Sequence, residues 1–253
     1  AIAYRDVWDR RIARWMDGSS TALGANVPDL RGVDTRAVPE PYVGDPGAPG
    51  LAVVLSLNPG EAGAAQRPGG ATYEAVRRDG YAAVYGRCAA EAGGPAEDTY
   101  QWMKNNRAEW PGRLLGTGAG DILHLDLVPW HTRHWSGIAW TDAAVAWAWD
   151  EVLSPAGRLA AATELSRRCG RPVVLAVGRP YAALLEAGAV RQGVSSVGSA
   201  DAGGRHFALH RVAGRGEDAG YDVLVTWARG TNRAPAASHD RIVRALLGLA
   251  TPA

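Results

Sequence analysis

The chain has 253 residues, of which 47% are hydrophobic, and its formal net charge is only +1. This length suffices for a large core. We expect one domain over residues 1–253, with a helix and an irregular connection in 1–50 and an α/β core in 51–250. The composition excludes a membrane span, since no run of about 18 apolar residues occurs. It also excludes a disulfide framework, because the chain has only two cysteines, Cys88 and Cys169.

The charge pattern leaves the class of partner open. A local basic patch is enough to bind nucleic acid, so a near-neutral chain neither requires nor excludes it. The basic residues are nearly all arginine, and Lys104 is the only lysine. Arginine suits bidentate phosphate contacts, although a GC-rich genome also explains this bias. The first residues form a charged amphipathic segment and not a signal peptide, so we expect a cytoplasmic protein with free thiols.

The hydrophobic pattern predicts strands and helices in alternation. A helix is predicted over residues 4–17, followed by a Pro- and Gly-rich connection over residues 18–50. The predicted strands of the core are residues 51–57, 122–128, 172–177, 206–212 and 221–227. The predicted helices of the core are residues 72–92, with a break at Gly80 or Gly86, 141–153 with Thr141 as N-cap, 155–168, 181–187, and 239–249 with Ser238 as N-cap.

Apolar strands that alternate with helices predict an α/β fold, with a central, mostly parallel sheet and helices on both faces. Ligands bind such sheets at the carboxyl ends of the strands, where the strand order reverses. The first core strand ends abruptly in Asn58, Pro59 and Gly60. Asn-Pro-Gly is also good turn chemistry. Its place after a buried strand nevertheless makes Asn58 a candidate functional residue.

Polar side chains follow two further strands. Asp126 lies near the end of the second predicted strand, residues 122–128, which is followed by Trp130 and His131. The last strand runs into Arg229, Asn232 and Arg233. An amide, a carboxylate and arginines at one rim suit recognition of a polar ring and a phosphate chain.

Three motifs carry a resemblance to a known family. They are VLSLNPG (residues 54–60), HLDLVPW (124–130) and VLVTWARG (223–230), and VVLAVGRP (173–180) fits the third strand of the same family. The chain resembles the uracil-DNA glycosylase superfamily over residues 51–233, and its mismatch-specific uracil/thymine branch more than the main uracil branch. This resemblance implies a uracil-DNA glycosylase-like fold, DNA as the partner with its target base flipped out, and neither metal nor cofactor.

In the family that the chain resembles, the first motif carries the residue that positions the attacking water. Asn58 matches the asparagine of the mismatch-specific branch, where it orients the attacking water. Glu61 is an alternative general base if it points inward, and otherwise a solvated loop carboxylate. The main uracil branch has a tyrosine at the position of Gly60, which blocks substituents on C5 of the pyrimidine. Glycine leaves room there, and Leu57 and Pro59, which flank Asn58, are further candidates for the base site.

The second motif departs from the uracil enzymes at Asp126, where the family has an asparagine that reads the base edge. An ionised carboxylate only accepts hydrogen bonds. It would repel O4 of uracil and accept from N4 of cytosine. Together with Gly60, this predicts a 5-substituted cytosine as substrate, of the kind found in modified phage DNA, and a role in defence or repair. The alternative is that Asp126 caps a loop or pairs with Arg133.

The third motif lacks the histidine that stabilises the leaving base in many family members. Arg229 is predicted to stabilise an anionic base or a phosphate, and Arg233 to hold a phosphate or enter the duplex. Asn232 and His131 are predicted to contact the DNA backbone. Tyr73 is the candidate for stacking on the flipped base, and Trp130 is a further base-binding candidate. The alternative for Tyr73 is a place in the core.

Weaker signals are set aside on physical grounds. His124, His131 and His134 lie near Asp126, but they divide between a strand and a loop, so no metal site is expected. The Gly-rich residues 116–120 precede their strand, whereas a dinucleotide loop follows one. Only Lys104, the single lysine, and the N-terminal amine could form a Schiff base, and both lie outside every motif, so no strand cleavage is expected.

Other activities remain open from sequence. They are repair of uracil or mispaired thymine, hydrolysis of free nucleosides or nucleotides, and binding of nucleic acid without catalysis. The nucleoside hydrolase would be insensitive to salt, because it would make few phosphate contacts.

Overall fold

A computed structural model gives the fold of most of the chain. It describes residues 2–18, 33–46, 52–56, 59–86, 109–116, 122–132, 142–153, 173–190, 193–214, 220–228 and 234–249. Within these ranges no helix has both the length and the apolar character that crossing a bilayer requires.

The described strands form one seven-stranded mixed sheet. In order across the sheet it reads β1-β3-β2-β4-β7-β6-β5, and β3, β2, β4 and β7 run parallel to one another. β1 pairs antiparallel with β3, and β5, β6 and β7 form an antiparallel meander. The strands are β1 Tyr42–Val43, β2 Ala52–Ser56, β3 Ile122–Asp126, β4 Val173–Val177, β5 Val194–Ala202, β6 Arg205–Val212 and β7 Tyr221–Ala228.

Helices cover both faces of this sheet. One face packs on α1, α2, α3, α5 and α6, and the other packs on α4 and α7. Successive strand residues point to opposite faces, so Val53 and Leu55 of β2 lie in the first core and Ala52 and Val54 in the second. The helices are α1 Ile2–Met16, α2 Ala71–Asp79, α3 Tyr81–Tyr85, α4 Glu109–Leu115, α5 Asp142–Ala148, α6 Pro180–Val190 and α7 Asp240–Leu247.

The α/β class and the mostly parallel sheet are confirmed, and the five predicted strands are all present. β1 lies inside the connection predicted as irregular, and β5 and α4 were not predicted. β5 reads VSSVGSADA and is largely exposed. A polar edge strand lacks the apolar run that identifies a buried strand, which is why its sequence gave no signal.

Two predictions about helix ends have different outcomes. The predicted helix over residues 72–92 is broken at Gly80, where φ is +88° and favours glycine. The Ser238 cap is wrong, because a 3₁₀ turn over Ala237–His239 precedes α7 and His239 takes the N-cap position. Thr141, residues 87–92 and the predicted helix 155–168 lie outside the described residues.

The strand order indicates where a ligand would bind at the edge of the sheet. β2 lies between β3 and β4; the chain leaves β2 for β3 on one side and leaves β4 for β7 on the other. The order therefore reverses between β2 and β4. In open α/β sheets, ligands bind outside the carboxyl ends of the strands at such a switch point.

Candidate functional site

Two buried polar side chains lie side by side at the carboxyl rim. Ser56 ends β2 and Asp126 ends β3, and the two residues are paired in register. They are 1% and 3% exposed, and neither Ser56 Oγ nor Asp126 Oδ1 has a hydrogen-bond partner within the described residues. His124, on the same face of β3, brings its Nε2 to 3.8 Å from Asp126 Oδ1. A buried carboxylate oxygen without a donor is energetically unfavourable, so this corner is suited to a donor from outside.

The segments that follow β2 and β3 are joined by backbone hydrogen bonds. Leu127 N donates to Ser56 O at 2.8 Å, and Thr132 N donates to Gly60 O at 2.8 Å. The first two sequence motifs therefore meet, as the sequence predicts for neighbouring strand ends. Pro59 is half-buried in this loop and Glu61 is exposed to solvent.

Gly60 faces open space. Its φ is +90°, and a Cβ built on it meets no atom within 4 Å in the described part of the chain. A side chain here would be strained by the backbone conformation.

A buried glutamate next to this rim was missed from sequence. Glu40 is 2% exposed, and its Oε1 accepts hydrogen bonds from Gln66 Nε2 and the Tyr85 hydroxyl, each at 2.9 Å. Burial raises the pKa of Glu40, and the charge of Asp126 adds to this, while His131 and the two donors oppose it. Glu40 stands between two prolines in a Pro- and Gly-rich stretch. That stretch has no periodicity from which its burial could have been predicted.

His131, predicted to contact the DNA backbone, is not at the surface. Its side chain is 1% exposed, its Nε2 lies 3.0 Å from Val38 O, and the same Nε2 lies 3.6 Å from Glu40 Oε1. The bond to a carbonyl requires a proton on Nε2. His131 therefore belongs to the buried polar cluster around Glu40. Because its side chain is shielded from solvent, it does not reach a phosphate of bound DNA.

The two predicted base-binding aromatic residues share one neighbour. Trp130 is 2% exposed, and its ring lies 5.8 Å from that of Trp15 in α1. The half-buried Tyr73 in α2 lies 6.3 Å from the same indole. Both rings pack edge-on against Trp15, so this packing agrees with the alternative that places Tyr73 in the core.

Tyr73 also lines a groove between α1 and α2. The groove has a volume of about 560 Å³, and its wall includes Met16, Asp9, Asp17 and Arg77. Ser56, Asp126 and Gly60 are not part of its wall, so it is separate from the carboxyl rim. Its two aspartates make it a poor site for a phosphate chain.

A buried arginine lies beside the carboxyl end of β7, where Arg205 is paired in register with Ala228. Arg205 of β6 is 6% exposed and donates from Nη1 to Thr226 Oγ1 at 3.3 Å. Burial lowers its pKa. Thr226 O accepts from Gly178 N at 2.9 Å, which holds the ends of β4 and β7 together.

Several predicted site residues lie outside the described residues. They are Leu57, Asn58, Arg229, Asn232 and Arg233, together with Arg133, His134 and Lys104. Within the described ranges, no three His, Cys, Asp or Glu side chains are grouped to hold a metal ion.

Comparison with known proteins adds no relative. No family model, no curated protein and no solved structure matches the chain.

Proposed function

We propose that the protein is a monofunctional DNA glycosylase, which hydrolyses the N-glycosidic bond of a flipped-out, 5-substituted cytosine and leaves an abasic site. The observation that carries this proposal is the buried Oδ1 of Asp126, which accepts no hydrogen bond within the described residues at the carboxyl end of β3.

Asp126 supports the choice of base. An ionised carboxylate accepts the N4 amino group of cytosine, which is the standard pairing of Asp with that base. Against uracil it would face O4, another acceptor, and the buried pair would be unfavourable by about 1–3 kcal/mol. Selection of cytosine over uracil then follows from one side chain.

Gly60 supports a substituent on C5. A Cβ at Gly60 meets no described atom within 4 Å, and Gly60 O accepts from Thr132 N at 2.8 Å, which ties Gly60 to the segment that follows β3. A glycosylase that removed ordinary cytosine would destroy its own genome. Space at C5 therefore favours a hydroxymethyl or glucosylated cytosine, as in modified phage DNA.

The remaining roles are assigned from sequence. Asn58, two residues beyond the end of β2, would orient the attacking water. Arg229, Asn232 and Arg233 would hold the backbone and the leaving base. Because His131 is buried, it has no role in DNA contact in this proposal. Lys104 is the only possible Schiff-base lysine, so Lys104→Ala should leave the products unchanged.

The first experiment offers the protein duplex and single-stranded oligonucleotides, followed by alkaline cleavage of abasic sites. The bases are uracil, thymine opposite guanine, cytosine, 5-methylcytosine, 5-hydroxymethylcytosine and glucosylated hydroxymethylcytosine. We expect cutting only at substituted cytosines. Equal excision of plain and substituted cytosine would contradict the argument from Gly60, and cutting at uracil would contradict the reading of Asp126.

The variant Asp126→Asn sharpens this test. An amide can donate to O4 of uracil, so we expect the preference to shift from cytosine towards uracil by about 5- to 150-fold. The matched control is Asp222→Asn. Asp222 is also buried, at 4% side-chain exposure, but it begins β7 at the opposite end of the sheet and accepts from Arg211 Nε at 2.9 Å. The control should lose stability without a change in base preference.

A further inference from the structure

Glu40 joins three segments that are distant in the chain. Gln66 lies in the turn after β2, Tyr85 in α3, and His131 in the segment after β3. Gln66 and Tyr85 each donate to Glu40 Oε1 at 2.9 Å, and His131 Nε2 lies 3.6 Å from the same oxygen. One buried carboxyl group is thus the common partner of all three.

The Gln66 side chain bonds both Glu40 and the backbone of the loop in which Gln66 lies. Its Nε2 binds Glu40, and its Oε1 accepts from Gly63 N at 2.6 Å. The backbone around Glu40 adds two bonds, from Val38 N to Gln66 O at 2.9 Å and from Glu40 N to Pro129 O at 2.7 Å. The segment around Glu40 therefore bonds both the loop after β2 and the segment after β3.

These two segments are the ones that carry the candidate site. Gly60 lies in the first, Asp126 immediately precedes the second, and Thr132 N donates to Gly60 O between them. Displacement of the loop would move Gly60, and with it the residues that lead from β2 into the loop.

We propose that Glu40 is a positioning residue, which holds the loop of residues 59–67 against the segment of residues 127–132 and so sets the geometry around Gly60 and Asp126. Glu40 contacts no reacting atom in this scheme. Its effect on catalysis rests on the proposed function, whereas its effect on the loop does not.

The charge state of Glu40 supports this role. The groups that face it are His131, Asp126, Tyr85 and Gln66, and Tyr81 is also affected by its charge. Burial raises the pKa of Glu40, which favours a neutral carboxyl that still accepts from both donors. Glutamine is neutral too and has the same acceptor oxygen, so Glu40→Gln is the conservative variant.

The experiment measures amide hydrogen exchange in the full chain, which needs no substrate. Loss of the two acceptor bonds in Glu40→Ala should speed exchange in residues 59–67 by about tenfold or more, whereas Glu40→Gln should restore protection. A change spread equally over all strands, or no rescue by glutamine, would overturn the proposal.

A matched pair of tyrosines covers the case in which Glu40→Ala does not fold. Tyr85→Phe removes only the hydroxyl that donates to Glu40, and Tyr81→Phe removes a hydroxyl that donates to Tyr42 O. The two rings stack with centroids 4.6 Å apart and are both buried. We expect faster exchange of residues 59–67 in Tyr85→Phe alone. Equal effects of the two variants would mean that Glu40 does not hold the loop.

Activity gives the second readout, on whichever oligonucleotide the protein cleaves. Glu40→Ala should lower kcat by about tenfold or more with a small change in KM, since the reacting geometry is disturbed and the DNA contacts are not. Faster exchange in a protein that cleaves no DNA would retain the positioning role and reject the glycosylase. Normal exchange in a Glu40→Ala protein that cleaves DNA normally would reject the positioning role and retain the glycosylase.

Discussion

The polar residues of the parallel strands β2 and β3 are buried, whereas those of the antiparallel strand β5 are half-buried or exposed. β2 and β3 are buried along their whole length. Their polar residues at the carboxyl rim, Ser56 and Asp126, are therefore shielded from solvent. β5 is largely exposed, and polar residues occur along it.

The polar groups of the meander bind one another. His206 Nδ1 lies 2.8 Å from Asp201 Oδ1, and Arg211 Nε donates to Asp222 at 2.9 Å. At the parallel rim, by contrast, Asp126 Oδ1 has no hydrogen-bond partner within the described residues, and its nearest basic atom is His124 Nε2 at 3.8 Å. Polar groups that bond each other need no further partner, whereas a buried acceptor at a strand end is suited to a ligand that donates a hydrogen bond. This difference locates the candidate site at β2 and β3.

The largest expected effect tests the burial of the parallel strands. Leu55 of β2 is 0% exposed and packs in the core beneath the site. Leu55→Ala should reduce the free energy of unfolding by about 2–5 kcal/mol, through lost transfer energy and the cavity that remains. Urea denaturation measures this. A loss below about 1 kcal/mol would mean that the parallel strands are not the stable centre of the fold.

The second prediction concerns pH and the polar cluster beside the rim. Burial raises the pKa of Glu40 in the folded state. Below the unfolded-state pKa, Glu40 is neutral in both states, so it does not reduce the free energy of unfolding. Stability is then lost as the pH rises towards the folded-state pKa, by about 1.4 kcal/mol per pH unit in that window.

Glu40→Gln isolates this effect, since every other titrating group is shared with the parent chain. The difference in unfolding free energy, variant minus parent, should grow between about pH 4 and the folded-state pKa and then become constant. Chemical denaturation at a series of pH values measures the difference. A difference that is independent of pH would contradict a raised pKa for Glu40.

The third prediction separates the open space at the rim from backbone strain. Gly60 and Gly69 have φ values of +90° and +84°, and a Cβ at either meets no described atom within 4 Å. Alanine at each should therefore reduce stability by a similar amount, about 1–2 kcal/mol. Only Gly60→Ala should also discriminate against substituted cytosines, by about tenfold or more. Equal substrate profiles would remove Gly60 from the base site.

The smallest expected effect lies in the meander. Val197 of β5 is 47% exposed, so Val197→Ala should change the free energy of unfolding by only about 0.5 kcal/mol or less. The same urea measurement applies. A larger loss would show that the exposed edge is covered by a partner and would weaken the contrast with β2.

β2 and β3 were predictable from the sequence because both faces of these strands are covered, so that their residues form mostly apolar runs. Asp126 was identified at the end of its run, whereas the buried Ser56 was missed, because a single serine gives no distinct signal. β5 was missed because one exposed edge strand tolerates serine, glycine and aspartate. The N-cap of α7 was misplaced because the preceding 3₁₀ turn has no distinct sequence signal.

The hydrophobic pattern was enough to predict the α/β class and the buried strands of the parallel sheet, and the geometry of parallel strands predicted that their carboxyl ends share one rim. The folded chain was needed to show that Thr132 N bonds Gly60 O, that Glu40 and His131 are buried together and that Trp130 packs on Trp15. These contacts join segments far apart in the chain. Burial of a charged or polar side chain is set by its distant partners, which a local pattern does not contain.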